Sequence, residues 1–193
     1  MKKTARAPLD RYDTPRAATE ALLHHVPEIK GDSLFDPCCG DGRMAERLRS
    51  RFAQVMTNDI DTRTPAQQHG DLRHGSIWKP ATWIVSNPPF GLVGDALFGA
   101  LGHAQVGVAM LARLSVLEVC KGRELLAEHP PHKLVVLHRS VLKFRGPGSD
   151  SVTCAWLVWS KEALSGPPIV ALPNDHPQQT TPYQSPSRVA GVS

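Results

Sequence analysis

The chain has 193 residues, of which 41% are hydrophobic, and a formal net charge of +4. That length favours one compact domain, and no apolar run approaches the roughly 20 residues of a membrane-spanning helix. No apolar core follows the basic N-terminus, so we expect no secretion signal and a cytoplasmic protein. The four cysteines show neither a CxxC pair nor metal-ligand spacing, which predicts reduced thiols and no metal site.

Composition divides the chain into three segments. Residues 1–13 are polar and predict a flexible N-terminal segment. Residues 14–162 carry regularly spaced apolar runs and predict the folded domain. Residues 163–193 are rich in Pro, Gln, Thr and Ser, with too few apolar side chains to offset the entropy of ordering. We therefore predict that this last segment is a disordered tail.

The folded segment alternates between predicted strands and helices. Thr14 offers a helix N-cap and Pro15 a first helical position, and the helix should continue to Val26. β-Branched strands that alternate with helices predict a mostly parallel sheet with helices on both faces. Further helices are predicted after Gly42, over 94–103 and over 116–128, and strands over 33–35, 54–57, 82–85, 106–111, 133–137 and 153–159.

A glycine-rich turn, residues 36–42, follows the first predicted strand and leads into a helix. Gly40 and Gly42 allow a ligand to approach the backbone, and the first N–H groups of the helix favour a negative group. Asp36 could hold an ammonium group, and Asp59, after the second strand, could accept both hydroxyls of a ribose. S-adenosylmethionine carries these groups and is the expected cofactor. A tight turn without any ligand is the alternative.

The second motif is Asn87-Pro88-Pro89-Phe90, directly after the apolar strand 82–85. Consecutive prolines remove two backbone donors and stiffen the chain into a corner. The Asn87 side-chain oxygen and the Pro88 carbonyl can then accept both hydrogens of a planar amino group, while Phe90 stacks on its ring. This pattern predicts methylation of an exocyclic nitrogen; an amide that only caps a turn is the alternative for Asn87.

Together these residues resemble the class I S-adenosylmethionine-dependent methyltransferases, and more closely the DNA adenine-N6 group. The turn 36–42 resembles the first cofactor motif of that group, and residues 87–90 resemble its catalytic motif. The resemblance implies a Rossmann-like α/β fold, with a seven-stranded, mostly parallel sheet and helices on both faces. It also implies S-adenosylmethionine as cofactor and DNA as partner.

The same resemblance extends to residues on either side of the two motifs. Residues 12–15 are similar to the segment that lies on the methionine end of the cofactor, which assigns Tyr12 and Thr14 to it. Asp71, 16 residues before Asn87, matches an acid that accepts from the adenine amino group, although a solvated loop acid has the same pattern. The remaining residues that the resemblance implies for the cofactor are Pro37 and Ile60, beside Asp36 and Asp59.

Phe144 resembles a second stacking aromatic of the family, and Arg145 beside it is expected at the substrate. A loop anchor in the core is the alternative for Phe144. Other substrates of the same chemistry are guanine N2 in RNA and a glutamine side chain in a protein. A non-catalytic cofactor- or DNA-binding module is a further alternative. The chain leaves no room for the usual target-recognition domain, a layout that fits small phage-borne adenine methyltransferases.

Overall fold

A computed structural model of the protein describes residues 13–117, 124, 126–138 and 153–172. Within these residues the chain forms three α-helices and eight strands, joined in part by short 3-10 turns. The helices are α1 (Arg16–His25), α2 (Arg43–Leu48) and α3 (Val93–His103). The strands are β1 (Gly31–Asp36), β2 (Phe52–Asp59), β3 (Gln68–His69), β4 (Ala81–Ser86), β5 (Ala104–Arg113), β6 (Lys133–Leu137), β7 (Cys154–Ser160) and β8 (Ile169–Ala171).

The described strands form one sheet in the order β3-β2-β1-β4-β5-β7-β6-β8. Only β7 runs antiparallel to its neighbours, β5 and β6, while every other neighbouring pair is parallel. The connections through α2 and α3 lead from one parallel strand to its neighbour, as such crossovers require. The structure confirms the predicted α/β fold with a mostly parallel sheet, and adds one strand to the expected seven.

Two hydrophobic clusters cover the two faces of the sheet. On one face, α1 and α2 pack over residues that include Trp83 and Trp156, both fully buried. On the other, α3 packs over residues that include Phe35 and Ile84. Burial on both faces explains why the central strands read as nearly continuous apolar runs rather than as alternating ones.

The first helix and the predicted tail differ from the sequence-based expectation. Pro15 is extended (ψ 139°) and is itself the N-cap of α1, so the helix begins one residue later than predicted. Ile169–Ala171, inside the segment predicted as a disordered tail, forms β8 beside β6. Backbone hydrogen bonds such as Leu134 N–H to the Pro168 carbonyl (2.7 Å) hold this edge strand. The short apolar run Ile169-Val170-Ala171 favours a strand, but the Pro-, Gln-, Thr- and Ser-rich composition of the whole segment outweighed it in the prediction.

Other expectations lie wholly or partly outside the described residues. Residues 173–193 of the predicted tail and most of the flexible segment predicted over 1–13 belong to this group. The helix predicted over 116–128 lies mostly outside as well; the structure describes a 3-10 turn at Leu114–Leu117 and helical residues at 126–128. No described helix is long and apolar enough to cross a membrane.

Topology brings the polar residues of the sequence motifs to one edge of the sheet. The parallel strands β1, β2 and β4 are neighbours and end at Asp36, Asp59 and Ser86 respectively. Their carboxyl ends therefore lie side by side, which is where ligands bind in open α/β sheets.

Gly107 in β5 packs closely against the Trp83 ring and leaves no space for a larger side chain. A Cβ at Gly107 would overlap the Trp83 ring and approach the Trp159 carbonyl oxygen to 2.7 Å. We expect Gly107→Ala to lower the free energy of unfolding by about 1–3 kcal/mol, because the buried ring and backbone must shift. Urea denaturation measures the change.

The control is Gly102→Ala on exposed α3 surface, where an added Cβ meets nothing within 4 Å. This variant should unfold at the same free energy or up to about 1 kcal/mol higher, because alanine favours the helix. Equal stability of both variants would contradict the tight contact at Gly107.

Candidate active site

A cleft opens at the carboxyl edge of the sheet, the usual place for a ligand in an open α/β fold. Its walls come from the segments that follow β1, β2, β3 and β4. Residues of both sequence motifs therefore lie in one cleft. The lining residues are Pro37, Cys38, Gly40, Asp59, Ile60, Asp61, Gly70, Asp71, Leu72, Arg73, Asn87, Pro88, Pro89 and Leu92.

The glycine turn has the backbone conformation that its sequence predicts. Gly40 (φ 57°) and Gly42 (φ 81°) are both left-handed, a conformation that costs glycine little and other residues more. A Cβ at Gly42 would also approach Pro65 to 3.0 Å. Gly42 N–H bonds to the Cys39 carbonyl (2.9 Å), and α2 begins at the next residue. The turn thus exposes backbone at Gly40 to the cleft.

Asp59 connects the end of β2 to this turn. One of its carboxylate oxygens accepts the Gly40 N–H (2.8 Å) and the other accepts the Asp61 N–H (2.9 Å). A carboxylate oxygen can accept more than one hydrogen bond, so each oxygen retains acceptor capacity toward the cleft. Asp59 therefore shapes the glycine turn and is available to ligand hydroxyls at the same time. The neighbouring Ile60 lines the cleft with its side chain half exposed.

Asp36 lies fully buried beneath the turn. One carboxylate oxygen accepts the Ser86 hydroxyl (2.8 Å) and the Cys38 N–H (3.1 Å). The other is buried without a hydrogen-bond partner. The pKa of Asp36 is raised to about 7: burial is the main cause, the negative charge of Asp59 adds to it, and the two hydrogen bonds oppose it. Two close carboxyl groups, one with an unpaired oxygen, favour a cationic ligand group here.

Asn58 was missed by the sequence analysis and joins two walls of the cleft. Its side chain is fully buried, and its Nδ2 donates to the Pro37 carbonyl (2.9 Å) and to the Gly70 carbonyl (3.0 Å). Its own carbonyl accepts the Cys39 N–H (2.9 Å). The available signal was the position of Asn58 beside Asp59 at the carboxyl end of β2, because ligands bind at that edge of open α/β sheets.

Asn87 and Pro88 lie buried at the cleft wall opposite the segments after β2 and β3. The strand β4 ends at Ser86, whose hydroxyl bonds to Asp36, so the corner is tied to the end of β1. Pro89 is half buried and begins a 3-10 turn over Phe90–Leu92. Asn87 and Pro88 therefore reach the same space as the glycine turn, where acceptors could meet a planar amine.

Phe90 does not line the cleft. Its half-buried ring packs against the hydrophobic cluster beneath α1 and α2. The guanidinium of Arg113, the last residue of β5, lies over the ring at 4.4 Å from its centroid. Such cation–π contacts contribute about 0.5–2 kcal/mol.

Asp71 lines the cleft and is paired with Arg73. The Arg73 guanidinium and backbone N–H both donate to the Asp71 carboxylate, the backbone bond at 2.9 Å. These hydrogen bonds lower the pKa of Asp71 to about 2. A ligand amino group at this carboxylate would therefore share it with Arg73, a contact that the sequence analysis did not predict.

The remaining predicted residues lie elsewhere. Thr14 and Gly42 line a separate groove on the other side of the glycine turn, between α1 and α2. Tyr12, Phe144 and Arg145 lie outside the described residues. Among the residues that the structure describes, no group of three His, Cys, Asp or Glu side chains could hold a metal ion.

The two cysteines of the turn are free thiols. Burial, together with the negative charges of Asp36 and Asp59, raises the pKa of Cys38 well above its usual value and that of Cys39 to about 12. Both therefore stay protonated at neutral pH. A protonated thiol is a poor nucleophile, so the turn acts through its backbone and not through sulfur chemistry.

No protein-family model matches the chain. A type II methyltransferase of Thermus thermophilus is 27% identical over 97 residues, a stretch that covers 46% of this chain and 23% of that protein. The chain thus matches about a quarter of the length of this relative.

Solved structures share the fold at low sequence identity. A Listeria monocytogenes protein assigned to the class I S-adenosylmethionine-dependent methyltransferases has a TM-score of 0.59 and 12% identity, covering 82% of this chain and 64% of that one. A dimethyladenosine transferase of Plasmodium falciparum has a TM-score of 0.57 and 15% identity, covering 77% and 62%. A type I restriction-modification methyltransferase subunit of Streptococcus thermophilus has a TM-score of 0.56 and 13% identity, covering 79% and 44%.

These likenesses confirm the class I methyltransferase fold that the sequence predicts. S-adenosylmethionine is the cofactor that the comparisons indicate. The residues that line the cleft fit it: Asp59 offers negative charge beside an open glycine backbone, and Ile60 and Leu72 offer apolar surface. Asp36, predicted at the cofactor, lies fully buried beneath the turn and does not line the cleft.

The buried carboxyl of Asp36 predicts a pH-dependent stability. Its pKa in the folded state, about 7, lies above the ordinary value of 3.8 in the unfolded chain. The folded state therefore holds the proton more tightly, and the free energy of unfolding falls as pH rises from about 4 through 7. The loss approaches about 4 kcal/mol by pH 8, at roughly 1.4 kcal/mol for each pKa unit.

The matched variant is Asp36→Asn, which keeps the shape and an acceptor oxygen but does not ionise. Urea denaturation between pH 5 and 8 should show its stability advantage over the wild type growing with pH. S-adenosylmethionine should reduce that advantage, because its ammonium stabilises the Asp36 carboxylate. A constant difference between the two proteins would contradict the raised pKa.

Loss of the Asn58 side chain should weaken the connection between the two cleft walls that it joins. Asn58→Ala leaves the Pro37 and Gly70 carbonyls without their donor. We expect a loss of about 2–4 kcal/mol in the free energy of unfolding, together with weaker cofactor binding by calorimetry. Gln54→Ala, at an exposed position of the same strand, is the control and should change neither. Unchanged cofactor affinity in Asn58→Ala would show that this residue supports the fold alone.

Proposed function

We propose that the protein is an S-adenosylmethionine-dependent methyltransferase that methylates an exocyclic amino group, and that its substrate is N6 of adenine in DNA. The observation that carries the proposal is that Asn87 and Pro88 line the same cleft as Gly40 and Asp59. An acceptor pair for an amine and a cradle for the methyl donor are therefore adjacent. A module that only binds the cofactor would not need amine acceptors next to the cofactor site.

Each end of the cleft suits one part of the cofactor. The Gly40 backbone and the buried carboxyl of Asp36 would hold the amino acid portion, and Asp59 would accept the ribose hydroxyls. Ile60, Leu72 and the Asp71–Arg73 pair would surround the adenine. When bound, S-adenosylmethionine supplies an electrophilic methyl group on a positively charged sulfur.

The chain's own contribution to the reaction is electrostatic. The amino nitrogen of adenine is a weak nucleophile because its lone pair is delocalised into the ring. Acceptance of its two hydrogens by the Asn87 oxygen and the Pro88 carbonyl favours a geometry that frees the lone pair. The same acceptors would stabilise the positive charge that builds on nitrogen while its lone pair forms the new C–N bond and the methyl–sulfur bond breaks, with that electron pair left on a neutral thioether sulfur. The methylated nitrogen then loses one proton to water and becomes neutral.

Two kinds of comparison support DNA adenine as the proposed substrate, while RNA methyltransferases share the fold as well, with TM-scores of 0.60 and 0.54. The curated relative is a type II methyltransferase, and one structural neighbour belongs to a restriction-modification system. Another neighbour is a dimethyladenosine transferase, which supports adenine as the base. The net charge of +4 is compatible with a polyanion. In a duplex, the base must leave the stack to reach the cleft.

Transfer of a labelled methyl group tests the proposal directly. The protein is incubated with labelled S-adenosylmethionine and with separate DNA, RNA and protein fractions. Label in DNA, recovered as N6-methyladenine, is the expected result. Label in RNA or in a protein would show that DNA is not the substrate, while the proposed methylation of an amino group would still hold. Absence of transfer to every fraction, with cofactor binding intact, would overturn the enzymatic function.

Asn87 is expected to be essential for turnover. Asn87→Ala should lower kcat by at least about 10²-fold, because one acceptor of the developing charge is lost. The dissociation constant for S-adenosylmethionine should stay near that of the wild type. Asn87→Asp, which keeps an acceptor oxygen, should retain more activity than Asn87→Ala.

Gln105→Ala provides the amide control, since Gln105 is exposed at the start of β5, at the opposite edge of the sheet. Its kcat should equal that of the wild type. Steady-state methylation of one DNA substrate compares the four proteins. Near-normal turnover of Asn87→Ala would contradict the proposed role.

A further inference from the structure

We propose that Arg73 positions the Asp71 carboxylate to accept a hydrogen from the adenine amino group of the cofactor, and so makes the cleft selective for an adenine base. The inference rests on the proposed function, in which the Asp71–Arg73 pair lies at the adenine. It assigns a role to Arg73, a residue that lies outside both sequence motifs.

Arg73 binds the Asp71 carboxylate through its backbone and its guanidinium. The Arg73 backbone N–H (2.9 Å) and Nε (3.0 Å) both donate to one carboxylate oxygen, and a second guanidinium nitrogen donates to the other oxygen. An ionised carboxylate offers about four acceptor positions, so about one position on the second oxygen remains. Because both side chains line the cleft, that position is available to a ligand bound there.

The backbone around the Asp71 carboxylate is held without the Arg73 side chain. The Gly70 carbonyl accepts a hydrogen bond from Asn58 (3.0 Å), and the Leu72 carbonyl accepts one from the Trp78 ring nitrogen (2.9 Å). Loss of the guanidinium should therefore free the carboxylate to rotate while the turn keeps its path. An acceptor that is fixed before the ligand arrives binds more tightly, because less conformational freedom is lost on binding.

The charge of Arg73 also decides which part of the cofactor Asp71 suits. The guanidinium lowers the pKa of Asp71 to about 2, so the carboxylate stays an acceptor at neutral pH. Because its charge is offset by Arg73, the carboxylate suits a hydrogen of a neutral base better than a cationic group. A base with a carbonyl oxygen in place of the amino group would bring two acceptors together, which such a site rejects.

Calorimetry with two matched ligands tests the proposal. S-adenosylhomocysteine carries the amino group on its base, and S-inosylhomocysteine carries a carbonyl oxygen at the same place. The wild type should bind the adenosyl ligand at least about tenfold more tightly. Arg73→Met should weaken the adenosyl ligand about fivefold and the inosyl ligand little, so that the preference shrinks. Arg73→Lys, which keeps the charge but not the planar fork, should keep part of the preference.

The control is Arg63→Met, which removes a pair of the same geometry. Arg63 donates to Asp61 through its backbone N–H (3.0 Å) and through two guanidinium nitrogens (2.8 Å each). Asp61 lines the cleft, whereas the Arg63 side chain is 78% exposed and is not among the lining residues. This variant loses the same charge away from the proposed adenine position, so its preference should equal that of the wild type.

The other outcomes would overturn the proposal. Equal weakening of both ligands in Arg73→Met would assign the residue to the fold alone, and tighter adenosyl binding would show that Arg73 competes with the base for Asp71. An unchanged preference in Arg73→Met, or the same shrinkage in Arg63→Met, would exclude action through the amino group. A wild type that binds both ligands equally would overturn this inference alone, whereas one that binds neither would overturn the proposed function as well.

Discussion

The hydrogen bonds from the end of β2 to the turn after β1 are the constraint on which the candidate site depends. Asp59 accepts the Gly40 N–H, and Asn58 binds the turn at both the Pro37 and Cys39 backbones. These bonds fix two left-handed glycines in an open loop that would otherwise have many conformations. Asn58 also reaches the Gly70 carbonyl, so the second wall of the cleft is held from the same point.

Electrostatics explain why this edge of the sheet is costly to form without a ligand. Burial of Asp36 beneath the turn raises its pKa and leaves one oxygen unpaired. A protein selected for stability alone would place an apolar residue there. The carboxyl is retained beside Asp59 in a cleft that suits a cationic ligand, an arrangement typical of functional sites with perturbed ionisation. Ser86 joins this carboxyl to the strand that carries Asn87.

In the proposed reaction, the strand order separates the binding region of the methyl donor from that of the amine that accepts the methyl group. The segments after β1, β2, β3 and β4 supply the residues that line the cleft, while β5 lies beyond β4. The corner at Asn87-Pro88 stands between these two regions. Its prolines leave few backbone conformations, so the acceptors keep their position without help from a long side chain. The single corner can therefore face a methyl donor on one side and an amine on the other.

Local sequence determined the order of strands and helices, the glycine turn and the Asn-Pro-Pro corner. Apolar periodicity, glycine and proline act within a few residues, so they can be read without a partner segment. The tertiary structure decided which distant groups meet: Arg73 on Asp71, Arg113 on Phe90, and Asn58 between two walls. It also decided that β8 forms, because a strand of only three residues is stabilised by its backbone pairing with β6. Such contacts join residues far apart in sequence, and their geometry exists only once the sheet has assembled.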